Sequence, residues 1–205
     1  MNKIKYAAAV LIAIAGMGLQ QAKADLFTSE LNIGPDDSTG ILFGTVTVSL
    51  TGQVATITFN SNTALDYHFI DSSIASVNVN ASTFTFAIVN DPFFKNVNIP
   101  GGNVNGFGSF DLSINNKGGF GNAIDTLSFT VTNTSGVLWN SASDVLEFNA
   151  DGFDASAHVA TQGGSLTFFV AENGTTTQVP DGGMTVMLLG MGLGALGMAQ
   201  RFLKK

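Results

Sequence analysis

Apolar residues in this chain recur at every second position, and that period is the strongest constraint on its fold. Val46, Val48 and Leu50 alternate with Thr45, Thr47 and Ser49. After Thr51-Gly52, which reads as a compact turn, Ala55, Ile57 and Phe59 resume the same alternation. Phe84, Phe86 and Ile88 alternate with Thr83, Thr85 and Ala87; Phe110, Leu112 and Ile114 with Ser109, Asp111 and Ser113; and Leu127, Phe129 and Val131 with Thr126, Ser128, Thr130 and Thr132. A strand turns successive side chains to opposite faces, so such a row buries one face and leaves the other to solvent. The residues are β-branched or aromatic, the types that fit a pleated surface. Shorter runs predict further strands at Leu65–Ile70, Ile74–Val79, Val145–Phe148, Ala157–Thr161 and Leu166–Ala171.

No stretch between the two chain ends has sustained helical periodicity. Short strands separated by Gly, Asn and Asp predict an all-β body, an antiparallel β-sandwich with the jelly roll as one arrangement of it. The stretch Asp91–Gly108, rich in Asn, Gly and Pro, reads as a long loop. Sixteen of the 17 phenylalanines lie in this body and supply its core. There is no cysteine, so no disulfide contributes.

The ends are of a different kind and are set aside from fold reasoning. Lys3 and Lys5 precede a 14-residue apolar core, Tyr6–Leu19, and Ala22-Lys23-Ala24 has the small-x-small pattern that signal peptidase accepts. Residues 1–24 therefore read as a secretory signal peptide, cleaved between Ala24 and Asp25, with an uncleaved anchor as the alternative. At the other end, the 19 residues Gly182–Gln200 carry no formal charge. That is about the ~20 residues a helix needs to cross a bilayer. The basic residues Arg201, Lys204 and Lys205 follow, and such a cluster tends to stay on the cytoplasmic side. The chain thus divides into a signal peptide (1–24), a secreted body (25–173), a linker (174–178) and a tail (179–205) with a transmembrane helix over 184–200.

Val179, Pro180, Asp181, Gly182 and Gly183 open the tail. Pro180 biases Val179 towards an extended backbone, and the two glycines resist helix, so this segment should stay accessible just outside the membrane. Short motif, apolar span and basic end together resemble the PEP-CTERM sorting signal of Gram-negative bacteria. Val179–Gly183 stand where many members carry Pro-Glu-Pro, as the variant usually followed by Ser-Thr-Val; here Met184 replaces the serine, while Thr185 and Val186 are kept. The resemblance covers only the last 27 residues or so. It implies processing by an exosortase, transient anchoring in the inner membrane, and delivery to the cell surface, outer membrane or extracellular matrix, often in biofilms containing exopolysaccharide. An ordinary single-pass anchor is the alternative.

Charge and side-chain chemistry narrow the function further. All fifteen acidic residues lie between Asp25 and Asp181, with only Lys95 and Lys117 of the eight basic ones, a net charge of −13 over that stretch. Nucleic acid is a poor partner for such a surface. The only histidines are His68 and His158, no Gly-x-Ser-x-Gly elbow is present, and neither histidine has zinc-like spacing. Each reads as a strand histidine with a satisfied hydrogen bond. Calcium is the one metal the residues suggest. Asp151-Gly152-Phe153-Asp154, after Asn149, supplies oxygens around a glycine turn, as does Asp36-Asp37. Neither run has EF-hand spacing, so polar turns are the plainer reading and no cofactor is expected. The three Asn-x-Ser/Thr triplets, at Asn80, Asn133 and Asn173, read as chance in a chain rich in these residues. These features predict a non-catalytic structural protein of the cell surface or matrix. The alternatives are a carbohydrate-binding module, against which it counts that Trp139 and Tyr67 are the body's one tryptophan and one tyrosine, the aromatics best suited to stacking on sugars, and, further off, a secreted hydrolase.

Overall fold

Four of the five alternating rows identified above each form a single strand, whereas the row Ser109–Ile114 breaks at Asp111 into two strands that belong to different sheets. The apolar faces are buried, those of Phe84, Phe86 and Ile88 only partly. In the computed structural model, which describes residues 25–35 and 39–178, the elements are β1 (Asp25–Ile33), β2 (Thr39–Thr51), β3 (Val54–Ser61), β4 (Tyr67–Phe69), β5 (Ala75–Val77), β6 (Phe84–Asn90), β7 (Phe94–Asn98), β8 (Gly102–Val104), β9 (Gly108–Phe110), β10 (Leu112–Asn116), β11 (Thr126–Asn133), β12 (Ala155–Thr161) and β13 (Thr167–Gln178). Val46, Val48, Ala55, Ile57, Phe59, Leu127, Phe129 and Val131 are all fully buried. The segments expected as signal peptide and transmembrane helix lie outside the described residues. Among the described residues no helix is long and apolar enough to cross a membrane.

The strands are antiparallel, as expected, but they do not form the two facing sheets of a sandwich. One continuous sheet runs β6-β11-β3-β2-β1-β13-β12-β5-β10-β7, with β4 added beside β12, and it curls into a half-barrel. The reason lies in β1. It pairs with β2 along one edge and with β13 along the other, so what would be a second sheet is hydrogen-bonded to the first. Register shifts at Leu31 mark irregularities of the kind that bend a sheet. The core fills the curl: Val48, Ile57 and Phe129 from one half share a single cluster with Val77, Leu112, Ile114 and Val159 from the other. Phe59 meets Phe69 edge-on at 6.2 Å between ring centres. The terminal strands β6 and β7 approach each other through Phe86 and Phe94, 6.4 Å apart.

Other expectations need correction. The stretch 91–108 is not a long loop, because it holds β7 and β8, and β8 pairs with β9 in a separate two-stranded sheet. Val104, Phe107 and Phe110 from this hairpin pack on Ala171, a second apolar cluster apart from the main core. Of Leu65–Ile70 only Tyr67–Phe69 is strand, since Thr63–Leu65 forms a 3-10 turn that ends at Asp66 in a left-handed conformation. Val145–Phe148 is not a strand; Leu146 makes a single bridge to Val79. Residues 174–178 are no linker but the last part of β13. β1 escaped detection because Ser29 interrupts its apolar row, although Phe27, Ser29 and Leu31 are all buried.

Candidate sorting site

The tail leaves the body from a strand held in the sheet. Gln178, the last residue of β13, lies opposite Phe27 of β1, with Thr177 opposite Thr28 and Thr176 opposite Ser29. Because the pair is antiparallel, the chain entering at Asp25 and the chain leaving after Gln178 do so side by side. The backbone hydrogen bonds of β1 hold that exit, and a cap fixes its neighbour: the Asp25 carboxylate accepts the Ala142 N–H at 2.7 Å. Ala24, the motif Val179–Gly183, and the basic residues Arg201, Lys204 and Lys205 lie outside the described residues, as do Asp36 and Asp37.

The two calcium candidates occupy different environments. Asp151 is exposed, in a loop organised by Asn149, whose Oδ1 accepts the N–H groups of Asp151 (3.0 Å) and Phe153 (3.1 Å). Asn149 Nδ2 donates to the carbonyls of Phe107 and Ser109, tying this loop to the β8–β9 hairpin. Asp154 is instead buried, 5% exposed, beside the fully buried Glu172. Burial, the neighbouring charge of Glu172 and a hydrogen bond to it push Asp154 up to about 8. At neutral pH the two carboxyls therefore keep a proton between them. Among the described residues no group of three His, Cys, Asp or Glu side chains is placed to hold a metal ion. The acid pair was missed in the sequence; its signal is Glu172 directly following the apolar run Leu166–Ala171.

The histidines sit far apart in character. His68, on β4, has Nδ1 2.6 Å from Asp125 Oδ1 and Nε2 3.7 Å from Asp66 Oδ1, with Phe120 edge-on to its ring. His158, on β12, stacks on Phe169 at 4.4 Å. Burial holds its pKa below the ordinary histidine range, against the opposing pull of Asp71. His158 and Phe169 line a cleft of about 530 Å³ together with Pro35, Asn105, Phe107 and Thr167. The body's one tryptophan and one tyrosine are both engaged in packing. Trp139 is buried at 4% exposure with its indole N–H donated to the Asn80 carbonyl, and Tyr67 packs on Phe43 and Phe168.

Residues 178–201 match the family described as the VPDSG-CTERM motif. The chain carries a PEP-CTERM-like sorting signal. Val179, Pro180, Asp181 and Gly183 coincide with the motif's lettered positions, and Gly182 stands where it has serine. No curated protein and no solved structure matches the chain. The sorting signal begins at Gln178, itself the final residue of β13, so signal and sheet meet without a spacer. An enzyme that reads Val179–Gly183 works within a few residues of the folded body.

Proposed function

We propose that this protein is exported behind a cleaved signal peptide, recognised by an exosortase at Val179–Gly183, and placed at the cell surface or in the extracellular matrix as a structural component. The observation that carries this reading is the sorting-signal match at residues 178–201, which points to an exported, surface-sorted protein. The body's surface supports a structural role. Strands β2, β3, β6 and β11 hold no charged residue, although the stretch Asp25–Asp181 has a net charge of −13. Their outer face carries hydroxyls in register, with Thr28, Thr47, Thr58 and Ser128 in one row across β1, β2, β3 and β11. Thr58 and Ser128 hydroxyls are 2.9 Å apart, and those of Thr28 and Thr47 are 3.3 Å apart. A neutral hydroxyl surface can lie against an uncharged, hydroxyl-rich polymer such as exopolysaccharide without charge repulsion.

Deleting Val179–Lys205 should release the body from the envelope in soluble form. Replacing Pro180 and Asp181 while keeping the span should leave full-length protein in the inner membrane, because anchoring needs only the apolar length. Mass spectrometry of the mature C-terminus decides: retention of Arg201–Lys205 makes the tail a plain anchor. A carbohydrate-binding module is the second reading, favoured by the cleft at His158 and Phe169, where ring faces lie beside Asn105 and Thr167. A glycan array probed with the protein separates the two readings, since a structural component retains no defined glycan.

A further inference from the structure

We propose that the end of the half-barrel where the chain enters and leaves is a lipid-facing surface, seated on the bilayer while the protein is tethered. The inference rests on the membrane reading of the tail and adds to it a site on the body itself. Strand directions define this end. Asp25 lies opposite Leu50, so the start of β1 adjoins the β2–β3 turn at Thr51–Val54. Thr132 lies opposite Val54, so β11 also ends here, and the segment after it, 134–142, covers the same end. Gln178 is there too, opposite Phe27. The 24 residues before Asp25 contain the run Tyr6–Leu19, and the 27 residues after Gln178 contain the uncharged run Gly182–Gln200. The membrane-length run Gly182–Gln200 thus begins only a few residues in sequence beyond this end of the body.

That end is ringed with exposed apolar side chains. Val137 is 72% exposed and Leu138 is 63% exposed, while Ile99, Val54 and Leu26 are 51%, 41% and 39% exposed. Val137 and Leu138 are held outward by a stiff polar frame. On one side Asn133 donates through Nδ2 to the Val137 carbonyl at 2.7 Å and accepts the Ser135 N–H and hydroxyl. On the other, Gln53 clamps Trp139, accepting its N–H at 2.9 Å and donating to its carbonyl at 3.0 Å. A fixed turn that presents two adjacent large apolar residues to water is the form of an interfacial contact rather than a packing error. Asp25, Asp144 and Glu147 lie in the segments at this end, and the body's two lysines are on β7 and just after β10, so the surface suits zwitterionic rather than anionic lipid.

The chain has no cysteine, so single-cysteine labels report one position each. Full-length Val137→Cys, Leu138→Cys and, at the opposite end, Leu65→Cys would carry a nitroxide and be reconstituted in phosphatidylcholine vesicles. Relaxation by oxygen, which concentrates in lipid, is compared with relaxation by a water-soluble nickel chelate. We expect positions 137 and 138 to favour oxygen several-fold over the chelate, with position 65 the reverse. Equal chelate access at 137 and 65 overturns the proposal, and loss of both relaxations at 137 overturns it in favour of a protein partner. Carbonate extraction of the same vesicles tests the tail by itself: extractable protein means that the membrane reading failed, whereas embedded protein with a chelate-accessible position 137 means that only this inference did.

Discussion

Asp154 and Glu172 share a side-chain hydrogen bond inside the body, and burial beside that second carboxyl raises the Asp154 pKa to about 8. An acid whose folded pKa lies above its ordinary 3.8 keeps a proton that the unfolded chain has released. Its contribution to stability is therefore complete below about pH 4 and is lost as pH rises through about 8. His158, held below the ordinary 6.5 by burial, acts in the opposite sense and only below that pH. Thermal unfolding should show a falling midpoint between pH 6.5 and 8, and Asp154→Asn should flatten that slope. An unchanged slope in the variant would show that the pair does not control it.

Phe129 stacks on Phe59 at 6.2 Å, lies 5.7 Å from Phe86, and has no exposed surface. Phe129→Ala removes those contacts and leaves a cavity where three strands meet, at a cost of about 3–5 kcal/mol. Its neighbour Thr130 faces outward on the same strand, and Thr130→Ala should cost under ~1 kcal/mol. Denaturant titration of the two variants checks the inside–outside assignment of β11.

Gly44 has no space for a methyl group. A Cβ there would sit 2.6 Å from the Asn60 carbonyl oxygen of the adjacent strand and 3.3 Å from the Phe69 ring. Gly44→Ala should destabilise by about 1–3 kcal/mol, because backbone must shift to admit it. Gly121, with nothing within 4 Å of such a Cβ, should tolerate the same change. Equal stability of the two variants would contradict the close approach of β2 to β3.

Gln53→Ala cuts both hydrogen bonds to the Trp139 backbone, a loss of about 1–3 kcal/mol if the freed groups stay buried. Trp139 is the chain's only tryptophan, so its fluorescence reports the site directly. A red shift in the variant, as water reaches the indole, is the expected result. An unmoved spectrum would show that the loop is held without the clamp.

Where the body ends has a practical consequence. A chain stopped after Gln178 keeps the pairing of residues 176–178 with Phe27–Ser29, whereas one stopped after Asn173 strips it. The shorter form should melt at lower temperature and exchange the β1 amides faster. Similar melting of the two forms would return residues 174–178 to the status of a linker.

Residue order alone was enough for the β class, for the inward face of β2, β3 and β11, and for the sorting signal. Period two is local: Val46, Val48 and Leu50 must share a face whichever strands flank them. A sorting signal is likewise a contiguous string, legible without a fold. That β1 joins both halves into one curled sheet emerged with the folded chain, because a strand's two hydrogen-bonding edges carry no side-chain signature. The fold alone decided that Asp154 meets Glu172 and that Asp151 does not, since burial is a property of what surrounds a residue. It extended β13 through Thr175–Thr177 by pairing with β1, where composition read a linker. Phe27 and Gln178, near the two ends of the body, meet for the same reason: antiparallel pairing acts across the whole length of the body, and no window of sequence contains both partners.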